Sequence, residues 1–88
     1  MFFVYVLRSL KDGKLYIGMT DNVEARLKRH TQGKVPSTKY RRPLQLLYME
    51  EYPDRLQARK REKFLKSGPG HHELYKLLTK GRVPTSSG

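Results

Sequence analysis

The sequence predicts an α+β fold, and three observations carry that prediction. β-branched and aromatic runs recur at three places, helical spacing of apolar residues recurs at three others, and the 88-residue length holds one core. A chain this short buries only somewhat more than half of its unfolded surface, so a second domain does not fit. We therefore expect a single domain over residues 1–81 and a disordered tail over 82–88.

The first element is Phe-Phe-Val-Tyr-Val-Leu-Arg at residues 2–8, a strand by composition. Asp12-Gly13 supplies a turn signal, and Leu15 to Thr20 resumes the extended pattern, so the first twenty residues read as a β-hairpin. Asp21 with Glu24 three residues later fits a reciprocal helix cap, and a helix from about Asn22 to Thr31 follows. On it Val23, Leu27 and His30 share one stripe, which Arg26 and His30 border.

Residues 32–43 carry Gly, two Pro, Ser, Thr and four cations without an acid, which predicts a solvated basic loop. Leu44 to Met49 predicts a third strand. Asp54 and Gln57 are spaced as a second cap, opening a helix that Ser67-Gly68-Pro69 ends. Its thin apolar stripe consists of Ala58 and Leu65, with Leu56 and Phe64 nearby. Glu62 falls on that stripe, where a carboxylate is costly without a partner or a task. A last helix is predicted from about His71 to Lys80.

Nineteen Lys and Arg against eight Asp and Glu leave a net charge of +11, the footprint of a protein that binds polyanions. Without cysteine there is no disulfide framework, zinc ribbon or thiolate nucleophile, in keeping with a reducing cytoplasm. The apolar run Phe2 to Leu7 is far short of the roughly 18 residues that span a bilayer, so neither a signal peptide nor a membrane association is expected.

Tyr5, then Tyr16-Ile17-Gly18, Arg26 and His30, and finally Ala58-x-x-x-Glu62 with Lys66, form an ordered set that resembles the GIY-YIG nuclease domain. The resemblance runs from about residue 3 to about residue 66. The first motif here reads Phe3-Val4-Tyr5, keeping the tyrosine and losing the glycine, as in the small stand-alone bacterial members that are similar to the N-terminal incision domain of the excision-repair nuclease. Some members carry an active-site asparagine after the glutamate, whereas the only Asn here is Asn22. The resemblance implies a three-stranded antiparallel sheet flanked by about three helices. It also implies a metal-dependent endonuclease that hydrolyses DNA phosphodiester bonds, in repair or recombination, with Tyr5, Tyr16, Arg26, His30 and Glu62 as the catalytic set.

The residue chemistry agrees with these roles. Glu62 is a hard oxygen ligand suited to one Mg²⁺ or Mn²⁺ that keeps most of its waters. Arg26 forks onto phosphate oxygens. A phenol among cations is a candidate to take a proton from water, and Tyr16, Tyr5 and His30 all stay open for that step. Taken singly each residue has an ordinary structural use, as in an ion pair of Glu62 with Arg59 or Lys66 at helical spacing.

Thirteen of the nineteen cations fall between Arg26 and Arg42 or between Arg55 and Lys66, where Glu62 is the sole acid. Lys28, Arg29, Lys34, Lys39, Arg41, Arg42, Arg59, Lys63 and Lys66 are the candidate contacts to the nucleic-acid backbone. Tyr40 and Tyr48 are candidates to stack on an unpaired base. Two other readings compete: a catalytically silent module that binds DNA or waits for a protein partner supplying specificity, and a basic RNA-associated protein.

Overall fold

A computed structural model describes residues 1–79; the expected tail at 82–88 and the end of the last helix lie outside them. The element order is β1 (Phe2–Ser9), β2 (Leu15–Thr20), α1 (Val23–Thr31), a 3-10 turn η1 (Lys39–Arg41), β3 (Leu44–Tyr52), α2 (Arg55–Lys66) and α3 (Gly68–Thr79). The sheet is antiparallel in the order β2-β1-β3, so the α+β expectation of three strands and three helices holds. Gly13, with φ of 76°, makes the hairpin turn at a dihedral that costs glycine little.

As the central strand, β1 is covered on both faces, and Val4, Tyr5, Val6 and Leu7 are all buried. Strand alternation then divides the molecule. Val4 and Val6 face α2 and α3, in a core with Ile17, Ala58, Leu65 and Leu74. Tyr5 is paired across the sheet with Gly18, and Leu7 with Tyr16, so both tyrosines lie on the opposite face. The β1–β3 ladder shifts between Val6 and Leu7, passing from Tyr48 to Leu46 and leaving Leu47 as the extra residue of a bulge.

Several expectations are corrected at element ends and surfaces. The cap of α1 is Asn22, whose side chain accepts from the Ala25 N–H at 3.0 Å, while Asp21 stays outside the helix. Asp54 caps α2 as expected, accepting from the Gln57 N–H at 2.9 Å. Leu56 and Phe64 are exposed, which narrows the buried stripe of α2 to Ala58 and Leu65. The helix α3 starts at Gly68 instead of His71, because Gly70 lets it fold directly onto the end of α2. A Cβ at Gly70 would fall 1.7 Å from the Phe64 carbonyl oxygen.

The basic segment after α1 is also more than a solvated loop. Val35 and Thr38 are buried, and η1 follows. β3 runs three residues beyond Met49, and the extension holds Glu50 half-buried.

Candidate active site

The hairpin presents the two tyrosines side by side. Their ring centroids are 6.3 Å apart, with no side chain between them because position 18 is glycine. A Cβ there would come within 2.5 Å of the Tyr5 hydroxyl oxygen. The α1 stripe delivers the next two groups. His30 packs edge-on against both phenols, at 5.8 Å from Tyr5 and 5.1 Å from Tyr16 between centroids. Arg26, one helical turn earlier, donates from Nε to the Tyr5 hydroxyl at 3.3 Å.

These bonds fix the direction of a hydrogen-bond chain. A guanidinium only donates, so Tyr5 accepts from Arg26 and must place its own proton elsewhere. Tyr5 is 1% exposed, and its other partner is His30 Nε2 at 3.0 Å. The network thus assigns Nε2 as the acceptor and puts the imidazole proton on Nδ1, which lies 2.8 Å from the Thr38 hydroxyl oxygen. The Thr38 hydroxyl in turn donates to the Val35 carbonyl at 3.5 Å. Five groups from β1, α1 and the basic segment make one chain: Arg26, Tyr5, His30, Thr38, Val35.

The electrostatics agree with a neutral interior. Burial first, and the Arg26 charge second, hold the His30 imidazole below its ordinary pKa. Burial raises the Tyr5 phenol above its ordinary value, outweighing the hydrogen bond from Arg26. The hydrogen bond to Tyr5, together with the approach of Tyr16, keeps Arg26 charged. A cation therefore sits between two phenols, with no carboxylate among the described residues hydrogen-bonded to it.

Glu62 lies on α2 with its side chain 17% exposed, and Lys66 Nζ donates to Oε2 at 3.1 Å. Its Oε1 has no hydrogen-bond partner among the described residues. Glu62 is close enough to Tyr5 for its charge to add to the upward shift of the phenol. Of the five residues singled out in the sequence, Tyr5, Tyr16, Arg26 and His30 form one cluster, and Glu62 makes no hydrogen bond to any of them among the described residues.

The cations divide by use. Lys28, Arg29, Lys34, Lys39, Arg42, Arg59, Lys63 and Lys66 are exposed. Arg41 instead pairs with Asp12 at 3.5 Å, and Arg42 spends two donors on the Lys39 and Thr31 carbonyls, at 2.9 and 3.1 Å. Arg61 grips both oxygens of Glu50, at 2.9 and 3.0 Å, and reaches Glu73 at 3.0 Å. Acids distant in sequence therefore neutralise part of what looks acid-free along the chain. Thr38 and Glu50 were missed: a threonine inside a basic loop carries no signal of burial, and the predicted third strand stopped before Glu50. Tyr48, a stacking candidate, instead donates to Glu50 at 2.5 Å. Asn22 is spent on the α1 cap.

An antiparallel sheet with paired tyrosines at its hairpin, an arginine and histidine on the next helix and a glutamate on the following one defines the GIY-YIG class. The family model described as the GIY-YIG catalytic domain matches residues 1–72, and the chain belongs to that family. Within it, the chain is similar to the UPF0213 proteins. It is 39% identical to that of Staphylococcus epidermidis over 90% of this chain and 95% of the relative. It is 41% identical to that of Staphylococcus aureus over 74% of this chain and 79% of the relative. The solution NMR structure of the UPF0213 protein of Bacillus halodurans matches the fold with a TM-score of 0.53 at 34% identity, covering 88% of this chain and 85% of that one. No helix among the described residues is long and apolar enough to cross a membrane.

Proposed function

We propose that this protein is a metal-dependent endonuclease that hydrolyses DNA phosphodiester bonds, acting in the cytoplasm in repair or recombination. The observation that carries the reading is Arg26 held between two phenols and a histidine, with Glu62 within electrostatic reach. A pentavalent phosphate gathers negative charge on its non-bridging oxygens, and Arg26 offers its remaining N–H groups to that charge. Tyr5, bonded on one side to Arg26 and on the other to His30, fixes the guanidinium in place. Tyr16, in its phenolate form beside Arg26, takes the proton of the attacking water and becomes the neutral phenol.

Glu62 is the ligand for one divalent cation. A lone carboxylate with an unpartnered oxygen fits Mg²⁺ or Mn²⁺, which bind through one or two carboxylates and retain their waters. Such an ion supplies charge neutralisation at the phosphate and at the leaving oxygen.

The exposed lysines and arginines of α1, α2 and the intervening segment hold the DNA backbone. If about five phosphates are engaged, log affinity falls with log salt at a slope of roughly −4 to −5. A second reading, a silent binding module awaiting a protein partner, draws on the Lys66 bond that occupies one Glu62 oxygen. The two separate in one assay: purified protein with duplex, branched and single-stranded DNA, with Mg²⁺, Mn²⁺ or EDTA. Cleavage with metal that disappears in Glu62→Gln supports the nuclease. Salt-dependent binding without product in every metal supports the module.

A further inference from the structure

Beside the active site, where the β1–β2 turn, the end of α1 and η1 meet, lies an open depression of about 530 Å³ walled by Lys11, Thr31, Lys39, Tyr40, Arg42, Pro43 and Leu44. We propose that it is a single-nucleotide subsite, in which an unpaired base next to the cleavage point stacks on Tyr40 while its phosphate lies among Lys11, Lys39 and Arg42. The proposal deepens the nuclease reading, because it names the strand feature that the protein would hold.

Tyr40 is 75% exposed, the most of any large hydrophobic side chain among the described residues. Its backbone is nevertheless held from several sides. Its own carbonyl accepts from Lys11 Nζ at 3.3 Å, the Arg41 carbonyl from the Ser9 hydroxyl at 2.7 Å, and the Lys39 carbonyl from Arg42 Nε at 2.9 Å. Two residues earlier, Thr38 is buried against His30. A fixed backbone carrying an exposed ring is a preorganised platform, which loses less entropy on binding than a mobile loop does.

The occupant follows from charge and shape. Three cations and no acid line the depression, so it selects an anion. Lys39 Nζ already lies 5.4 Å from the Tyr40 ring centroid, placing positive charge beside the stacking face. A volume of this size accommodates a nucleotide. Every base presents a π-face, so the subsite would hold any base and would require it to be unpaired. Thr38, two residues before Tyr40, is bonded to His30, so the segment that carries the platform also packs against the histidine of the tyrosine cluster.

The chain contains no tryptophan, so Tyr40→Trp is a unique fluorophore at the platform. Titration in EDTA with an oligothymidylate single strand and with a blunt duplex of equal length separates stacking from backbone attraction. The expected result is saturable quenching by the single strand and little by the duplex. With the same strand, Tyr40→Ala should bind roughly tenfold more weakly by anisotropy while Tyr40→Phe binds as the parent does. Unchanged affinity of Tyr40→Ala, or equal quenching by both DNAs, overturns the proposal, as does quenching that follows protein concentration alone, which would mean that a second copy covers the ring. Cleavage without a Tyr40 effect removes the subsite and leaves the nuclease. Quenching in a protein that cleaves no DNA removes the nuclease and leaves the subsite.

Discussion

The two faces of β1 carry two polar clusters built from similar parts and balanced in opposite ways. Under α2 and α3, Glu50 accepts from both Arg61 donors and from the Tyr48 and Tyr52 hydroxyls, the latter at 2.6 Å, and Arg61 also reaches Glu73. Across the strand, Tyr5, Tyr16 and His30 surround Arg26, with no carboxylate among the described residues hydrogen-bonded to it. The first cluster is a closed arrangement in which each charge meets its opposite. The second keeps a cation beside neutral groups. A buried ion pair that is fully bonded holds elements together, whereas a half-buried cation without a counter-ion is a place for an anion to bind. The difference marks one face for stability and the other for chemistry.

The largest effects should separate along that line. Glu62→Gln removes the proposed metal ligand, so cleavage should fall by at least about 10²-fold, more than the loss of an outer-shell partner causes. Its thermal midpoint should stay within a few degrees of the parent, because only an exposed Lys66 pair is lost. Parallel melting and cleavage curves check both statements. A variant that melts early would place Glu62 with the structural cluster instead.

Arg61→Ala should do the reverse. It leaves Glu50 half-buried beside two phenols without its counter-ion, at a cost of about 2 kcal/mol, which in a domain of this size lowers the melting temperature by roughly 10 °C. Below its own transition the variant should still cleave. Loss of cleavage at full stability would give Arg61 a catalytic part and break the contrast.

The pH dependence of stability should show both clusters in turn. Burial holds the folded His30 pKa down, so the unfolded chain binds its proton first as acid is added. Stability is then fully present above the ordinary imidazole value of about 6.5 and is lost as pH falls below it. Burial works against the Glu50 anion, but the bonds from Arg61, Tyr48 and Tyr52 outweigh it and lower its pKa. That contribution is present above the ordinary carboxylate range, near 4.3, and is lost as pH falls through the folded value. Denaturant midpoints measured from pH 8 to pH 3 should therefore decline in two stages. His30→Gln should remove the upper stage and Glu50→Gln the lower. A single decline near pH 4 in the parent would contradict the burial of a neutral histidine.

Much of this division was legible in the sequence, for reasons that particular residues show. Tyr5 and Tyr16 could be placed because a hairpin has period two and a short turn, which leaves little freedom in register. Arg26 and His30 could be placed because one helical turn separates them. Glu62 stood out because a carboxylate on an apolar stripe violates the pattern around it. Glu50 stood out nowhere, because its partner Arg61 is eleven residues away on another element and its burial depends on how far β3 runs. Thr38 was hidden for a related reason: its segment is rich in solvated residues, and only the packing of that segment over α1 brings its hydroxyl to His30. Local periodicity reports which face a residue takes, whereas long-range pairing of polar groups is decided by tertiary packing.

Thr38 therefore gives the smallest and most discriminating test of the contrast. If its hydroxyl fixes the His30 proton on Nδ1, Thr38→Val removes the acceptor and leaves that proton unpaired, at a cost of about 1–3 kcal/mol. Thr38→Ser keeps the oxygen and should restore the parent's behaviour. Stability alone would not separate this role from simple packing, since valine fills the same space. The separating measurement is the ¹⁵N chemical shift of the two His30 ring nitrogens, which reports the tautomer directly. In the parent and in Thr38→Ser, Nε2 should carry the shift of a bare, hydrogen-bond-accepting nitrogen, and in Thr38→Val the two nitrogens should move toward one another as the tautomers mix. Cleavage should then drop severalfold through the maximal rate more than through substrate affinity, because Tyr5 loses its fixed partner while the cationic surface is untouched. A bare Nε2 in all three proteins would show that Tyr5 and Arg26 set the tautomer unaided, with Thr38 only filling space.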